Sequence, residues 1–374
     1  MTAVSNPSDV AVLPLADTPL GRTVATTATD IWNDSCSIPE LEYAISFGAV
    51  GATANPTIVN DVWKQDPGFW RDRVRAIAAS GDRLTEVELA WAVVEEMSTR
   101  AVPLLLPAHE ASNGRQGRLS MQTDPTLYRS PERMLAQGQR FASLAPNIIV
   151  KFPATRAGIA AIEEATATGV SVNVTVCFSV AQAVTAAEAI DRGLRRYAAA
   201  GGDVARMGPV VTIMVGRIED WLRVQTERDG IIADPGALPW SGVAVFKRAY
   251  GIFHERGYQA RLLAAAIRHY RHWSEFIGGD VVITLPAAWQ QRFNASDVEV
   301  RPRMDEPVDP VIVRELAAHY ADFRRAYEPD GLSIDEFDGF PPTARTLRAF
   351  IASYHDLLHQ VTDVTIPNPD VRST

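Results

Sequence analysis

Apolar and polar positions alternate along this chain in a repeating order of short β-rich runs and longer helical stripes. Ile148-Ile149-Val150 is a continuous β-branched run, which suits a parallel strand covered on both faces. Lys151 closes it and Pro153, which cannot donate to a ladder, is expected to end it. Thr155 is placed to cap the following helix and Gly169 to end it. Seven further segments read as strands: 28–34, 51–57, 117–125, 170–178, 209–215, 261–266 and 280–285. The fifth, Val170 to Phe178, alternates cleanly.

Helical patterns lie between these runs. Ile38, Leu41, Ile45 and Phe47 form one stripe, and Val87, Trp91 and Val94 form another in a helical region reaching about Met97. Pro103 to Gln116 contains Pro, Gly and Asn and reads as an inserted loop or irregular strand. Ser130-Pro131 and Ser179 open helices, and Gly242 to Gly257 carries Val245, Ala249 and Phe253 in register. Eight strands alternating with helices imply parallel βαβ units closed into a (β/α)8 TIM barrel of the α/β class. An open doubly wound sheet is the competitor, but no glycine-rich turn follows the first strand. The expected division is a flexible tail at 1–20, a barrel at 21–300 and a helical extension at 301–374 packed on it. The helices of that extension are expected at 311–327 and 343–361.

The 374 residues, 47% hydrophobic, suffice for such a core. A net charge of -9 without a basic run argues against nucleic-acid or anionic-membrane partners. No stretch has the length of a membrane span, and Met1 to Leu20, without a basic start followed by an apolar core, does not read as a secretory signal. The cysteines, Cys36 and Cys177, make no disulfide framework, so the expected compartment is the reducing cytoplasm. A homo-oligomer is compatible with this composition.

Chemistry is suggested where the inferred strands end. Asp34, Asn55, Gln122, Lys151, Asn173 with Thr175, and Arg217 all fall near carboxyl ends of strands or just beyond. Each has an ordinary reading as turn former, strand residue or surface charge. A barrel nevertheless sends them all to one mouth, where catalytic residues of this architecture lie. A desolvated lysine there loses its charge readily and becomes an amine nucleophile for a ketone or aldehyde. The alternative is a lysine that snorkels to water or pairs with a carboxylate.

Those residues sit in stretches that resemble the transaldolase family: Ile31-Trp32-Asn33-Asp34, Ala54-Asn55-Pro56-Thr57, Gly117 to Pro125, Leu144 to Lys151, Asn173 to Ser179 and Val215-Gly216-Arg217-Ile218. The resemblance implies a Schiff-base aldol mechanism with no metal or other cofactor, acting on a sugar or sugar phosphate. It implies Lys151 as nucleophile, Asp34 as general acid/base and Thr175, with Gln122, at the catalytic water. Asn55 and Asn173 would hold a dihydroxyacetone unit, with Thr212 among the substrate-binding positions. Arg217 and Arg268 would bind phosphate. Three positions depart from the family pattern: Gln122 replaces a glutamate, Met214 an aromatic and Ala266 a serine. The related fructose-6-phosphate aldolases also carry glutamine at the first of these. Transfer of the three-carbon unit is therefore the leading expectation. Release of free dihydroxyacetone is the second, and a barrel that binds sugar phosphate without turnover is the third. A metal-dependent isomerase is disfavoured by the lack of a visible His/Asp/Glu ligand cluster.

Overall fold

A computed structural model describes residues 17–81, 84–366 and 369. Eight parallel strands close in sequence order into a barrel, so the open-sheet alternative falls. They are β1 (Asp30–Asn33), β2 (Gly51–Thr53), β3 (Arg118–Gln122), β4 (Ile148–Pro153), β5 (Val172–Cys177), β6 (Val210–Ile213), β7 (Arg261–Ala264) and β8 (Val282–Leu285). Every strand was anticipated, but most are shorter than their apolar runs. The second ends at Thr53 because Pro56 already opens a helix, Pro56–Gln65, with Asn55 as its cap. At the sixth, Val215 belongs to the next helix.

Alternation along the strands sorts side chains into two cores. Trp32, Ile149, Val210, Leu263, Ala265 and Val282 form a small cluster separate from the large one between strands and helices. Trp32 is the largest member, and Gly51 makes room for it. A Cβ at Gly51 would lie 2.4 Å from the indole. The interior is therefore packed rather than open.

Four expectations change. Residues 1–16 of the expected tail lie outside the described residues, while Pro19 and Leu20 already belong to a helix, Pro19–Thr26, whose Leu20 is buried. Pro103 to Ala111 is not a loop. It completes a 26-residue helix, Glu86–Ala111, that contains both Pro103 and Pro107. Each interior proline costs about 3 kcal/mol in a bare helix. The apolar positions Leu89, Val93, Met97, Ala101 and Leu105 repeat every fourth residue and are buried, so packing outweighs propensity. Trp91 and Val94 are buried as expected, whereas Val87 is 47% exposed. The 311–327 helix is two helices, Pro310–His319 and Ala321–Tyr327, broken at Tyr320, whose ring is buried.

The fourth change bears on chemistry. The even alternation of β5 breaks at Val176, whose φ is 53°, and the register with β6 shifts between Val174 and Cys177. A β-branched residue with positive φ is strained, and such strain persists only where surroundings impose it. Gln182 supplies the restraint, with Nε2 donating to Val176 O (3.3 Å) and Ala154 O (3.0 Å) and Oε1 accepting from Phe178 N (2.9 Å). The same Nε2 donates to Thr343 Oγ1 (3.2 Å). That bond anchors the start of the last helix, Pro341–Thr365, over the ends of β4 and β5.

Candidate active site at the carboxyl end of the barrel

Parallel register places Gln122 beside Lys151 across β3–β4, and Lys151 beside Asn173 across β4–β5. All three point into one layer of the barrel, next to the end of β1 where Asp34 follows. Lys151 is 5% exposed, and its amine donates one long bond, 3.3 Å, to Ala54 O. No carboxylate lies within ion-pair distance of it among the described residues. Burial lowers its pKa from the usual lysine value to about 8, with the nearby Asp34 charge pulling the other way. A pKa near 8 leaves roughly a tenth of the amine unprotonated at pH 7. The snorkelling and salt-bridged readings of Lys151 are thus not what the fold builds.

Two hydrogen-bond chains position the polar groups around that amine. Thr53 Oγ1 donates to Asp34 Oδ1 and lies 3.0 Å from Thr284 Oγ1, which must then donate to Thr53. Both hydroxyls are buried, so the relay fixes the orientation of the Asp34 carboxylate. On the other side, Asn173 Nδ2 donates to Ser120 Oγ (2.9 Å) and Asn173 Oδ1 accepts from Thr212 Oγ1 (2.7 Å). That fixes which way the amide faces and leaves one N–H and one lone pair for a ligand. Thr212 therefore holds Asn173, and its hydroxyl proton is committed.

The other anticipated residues are less uniform. Asn55 uses Oδ1 to cap its helix, accepting from Thr57 N (2.9 Å) and Ile58 N (3.1 Å), so its amide nitrogen is what remains for a ligand. Thr175 is 2% exposed, and its hydroxyl has only Met214 Sδ, at 4.0 Å, as a weak acceptor. Gln122 Oε1 is buried without a partner. An unmet buried acceptor at a site is costly and marks a position for water or ligand.

Beyond β6 and β7 the cations cluster. Gly216 is required there, since a Cβ would lie 1.9 Å from Ala266 O. Ala266 itself has a φ of 62°, a second strained non-glycine residue at this end of the barrel. Arg217 is half-buried, its Nε has no partner, and burial beside Arg268 lowers its pKa. Arg268 is not free in the same way. Its Nε and Nη2 grip Asp220 at 3.0 and 2.7 Å, and Nη1 reaches Ile267 O.

The structure also assembles a His/Glu cluster that the sequence reading did not see, because its members come from two distant stretches: Glu219 on the helix Val215–Asp229, and His269 and His272 after β7. Their donor arrangement does not fit a metal. Glu219 Oε1 is gripped by Arg223, and Oε2 lies 3.0 Å from His269 Nε2. His272 Nδ1 accepts from Arg268 N (3.2 Å), which puts the ring proton on Nε2, the atom a cation would need. Burial pushes the Glu219 carboxyl up, but the His269 and Arg223 bonds outweigh it and hold its pKa at about 2. The cluster braces the backbone of Arg268. The residues that sequence reasoning missed here, Thr53, Ser120 and Thr284, carried no signal beyond ordinary strand composition.

Residues 31–335 match the family model described as Transaldolase/Fructose-6-phosphate aldolase. The chain is 29% identical over 336 residues to a protein named Transaldolase from Thiobacillus denitrificans, covering 84% of this chain and 90% of that one. It is 33% identical over 208 residues to Transaldolase 1 of Streptomyces avermitilis, covering 55% of this chain and 54% of that one. Transaldolase of Thermobifida fusca is 31% identical over 248 residues, with 63% of this chain and 66% of that one covered. A buried, unpaired strand-end lysine inside an eight-stranded barrel, and a family match over most of its length, together place the chain: it belongs to the transaldolase/fructose-6-phosphate aldolase family.

Proposed function

We propose that this enzyme transfers a dihydroxyacetone unit from a ketose phosphate to an aldehyde through an imine on Lys151. The observation that carries the reading is the Lys151 amine itself, buried, without a carboxylate and with a pKa of about 8. The neutral amine adds to the ketone carbon and the carbinolamine loses water to give an iminium ion. Asp34, aimed by Thr53, accepts the proton of the hydroxyl on the bond-breaking carbon. The carbon–carbon bond electrons then flow to the iminium, an aldehyde departs and an enamine remains. Attack of the enamine on an acceptor aldehyde, with Asp34 returning the proton to the new alkoxide, forms the product imine. Water, for which Thr175 and Gln122 are the nearest candidates, hydrolyses it. Asn173 and the Asn55 amide nitrogen hold the hydroxyls of the three-carbon unit. Arg217 takes the phosphate, with Arg268 alongside it in its ion pair with Asp220.

Gln122 supports a second outcome, release of free dihydroxyacetone, because a neutral amide beside the amine cannot relay protons as a carboxylate does. The third reading, binding without turnover, leaves the lowered lysine pKa and the aimed Asp34 without a use. Among the described residues no helix is long and apolar enough to cross a membrane. Cys36 and Cys177 are both free and buried, which fits a reducing cytoplasm.

Borohydride reduction in the presence of fructose 6-phosphate should add a single substrate-derived mass, located on the Lys151 peptide. Lys247 is the control, a partly buried lysine held by Glu275 at 3.1 Å. Label on Lys247 instead would overturn the assignment.

A further inference from the structure

We propose that Arg345, from the C-terminal helix, is a specificity residue that shares the substrate's phosphate with Arg217, while Asp220 holds Arg268 back from it. The inference rests on the phosphate reading of Arg217 given above and adds a residue and a restraint to it.

Three observations converge. First, the start of the Pro341–Thr365 helix is pinned over the barrel mouth by the Gln182–Thr343 bond, which ties it to the carbonyls ending β4 and β5. Second, the Arg345 guanidinium lies over the Trp221 ring, 5.7 Å from its centroid. Trp221 is four residues after Arg217 in the helix Val215–Asp229, so both lie on one face and Arg345 stands on the Arg217 side. Third, the carboxylates nearby are already committed. Asp220 grips Arg268 through two bonds, and Asp322 takes Trp221 Nε1 (2.8 Å) and Arg325 (3.2 Å). Neither Arg217 nor Arg345 has a carboxylate within ion-pair distance among the described residues.

Two arginines without carboxylates near each other repel; burial is the main cause of the lowered Arg217 pKa, with Arg268 next and Arg345 a smaller contribution. A dianion between them removes that repulsion and accepts from both forks. Arg268 presents a nearly neutral ion pair instead, and Ala266 offers no hydroxyl in compensation. The arrangement moves the anion from the β7 loop toward the C-terminal helix, making that helix part of the site.

The test compares KM for fructose 6-phosphate with KM for fructose, and inhibition by inorganic phosphate. Arg345→Gln should raise the ratio of the two KM values about three- to tenfold and weaken phosphate inhibition similarly, as expected for an exposed charge-assisted contact. Arg345→Lys should recover most of the ratio. Asp220→Asn should release Arg268 and strengthen phosphate inhibition. A ratio unmoved by Arg345→Gln but raised by Arg217→Gln would overturn the role of Arg345 and leave the proposed function standing. Equal KM increases for both sugars would make Arg345 a packing residue and also overturn it. A ratio unmoved by either variant would sink the phosphate reading itself.

Discussion

The two ends of the barrel are both lined with charge, yet they treat it in opposite ways. At the amino end of the strands, Arg261 Nη1 donates to Asp30 at 2.6 Å and its Nε lies 2.9 Å from Asp280. Gln116 and Arg115 add bonds to the same two carboxylates. Arg118, buried among these groups, donates to Gly114 O and Arg206 O at 2.6 Å each. At the carboxyl end, Lys151 has one long bond, Gln122 Oε1 and Arg217 Nε have none, and Val176 and Ala266 are strained. The first end pairs most of its charge internally, although Arg261 Nε and Asn147 Oδ1 lack a hydrogen bond there, and is built for stability. The second leaves valences unmet, which costs stability and, on the proposed function, keeps them for substrate.

The sharpest way to break this comparison is Lys151→Met. It should abolish imine trapping and turnover. It should also stabilise the fold, by up to about 3 kcal/mol at neutral pH, because it removes a desolvated cation. The folded pKa, about 8, lies below the ordinary lysine value of 10.5. Below pH 8 both states are protonated and the cost of burying the charge is fully present. Between pH 8 and 10.5 the unfolded chain binds more protons, so the wild type gains stability and the advantage of the variant shrinks. Denaturant melts at pH 7 and pH 10 measure it. A variant less stable than wild type at pH 7 would mean that the lysine is satisfied after all.

Arg261→Met is the counterpart at the other end. It leaves Asp30 buried with Gln116 alone, and should cost about 3 kcal/mol in unfolding free energy. The kcat of the folded fraction should change little, since the residue lies at the opposite end from the chemistry. A large fall in kcat at wild-type stability would erase the division between the two ends.

Thr53→Val tests the relay. It keeps the shape of the side chain, removes the donor to Asp34 and strands the Thr284 hydroxyl. We expect kcat to fall by about ten- to a hundredfold, the scale of one misaligned acid/base. Imine trapping should survive, because amine addition does not use that bond. Loss of trapping together with kcat would show that Thr53 shapes the lysine pocket instead.

Much of this division could be read from the sequence, and what could not has physical causes. Eight strands were visible because a barrel strand is buried on both faces, so Ile148-Ile149-Val150 is apolar and β-branched throughout, and Val172 to Cys177 is apolar or β-branched except at Asn173. Lys151 stood out as a charge at the end of such a run. The helix through Pro103 and Pro107 was hidden because propensity is local and the packing that overrides it is not. Thr53 and Thr284 were hidden because threonine is an ordinary strand residue, and only strand pairing shows which hydroxyl faces which acid. The Glu219–His269–His272 cluster joins a helix to a stretch some fifty residues on. The tie between Asp220 and Arg268 likewise joins a helix to a distant loop, so the sequence suggested a free Arg268 where the structure has a neutralised one.

The smallest expected effect, and the finest test of the unmet valences, concerns Gln122. Its side chain flanks Lys151 and helps line a small cavity of about 20 Å³, shared with Asn55, Trp91 and Tyr354. Transfer and aldolysis share every step to the enamine. They part at its fate, either attack on an acceptor or protonation followed by hydrolysis. A neutral amide can orient a water there but cannot exchange protons with it, which in the proposed mechanism leaves the acid/base role to Asp34. The wild type should therefore release measurable dihydroxyacetone from fructose 6-phosphate when no acceptor is supplied. Gln122→Glu introduces a carboxylate beside the amine. It should raise the lysine pKa above 8, moving the rise of the trapping rate to higher pH, because an adjacent negative charge favours the ammonium. It should also shift the partition a few-fold toward transfer, on the order of 1 kcal/mol between the competing barriers. Quantifying free dihydroxyacetone with and without acceptor, across pH 6 to 10, reads both effects. A pH profile that moves with an unchanged partition would mean that Gln122 tunes the nucleophile and leaves the fate of the enamine to other groups. Strict acceptor dependence in the wild type, unaltered by Gln122→Glu, would remove Gln122 from the partition altogether.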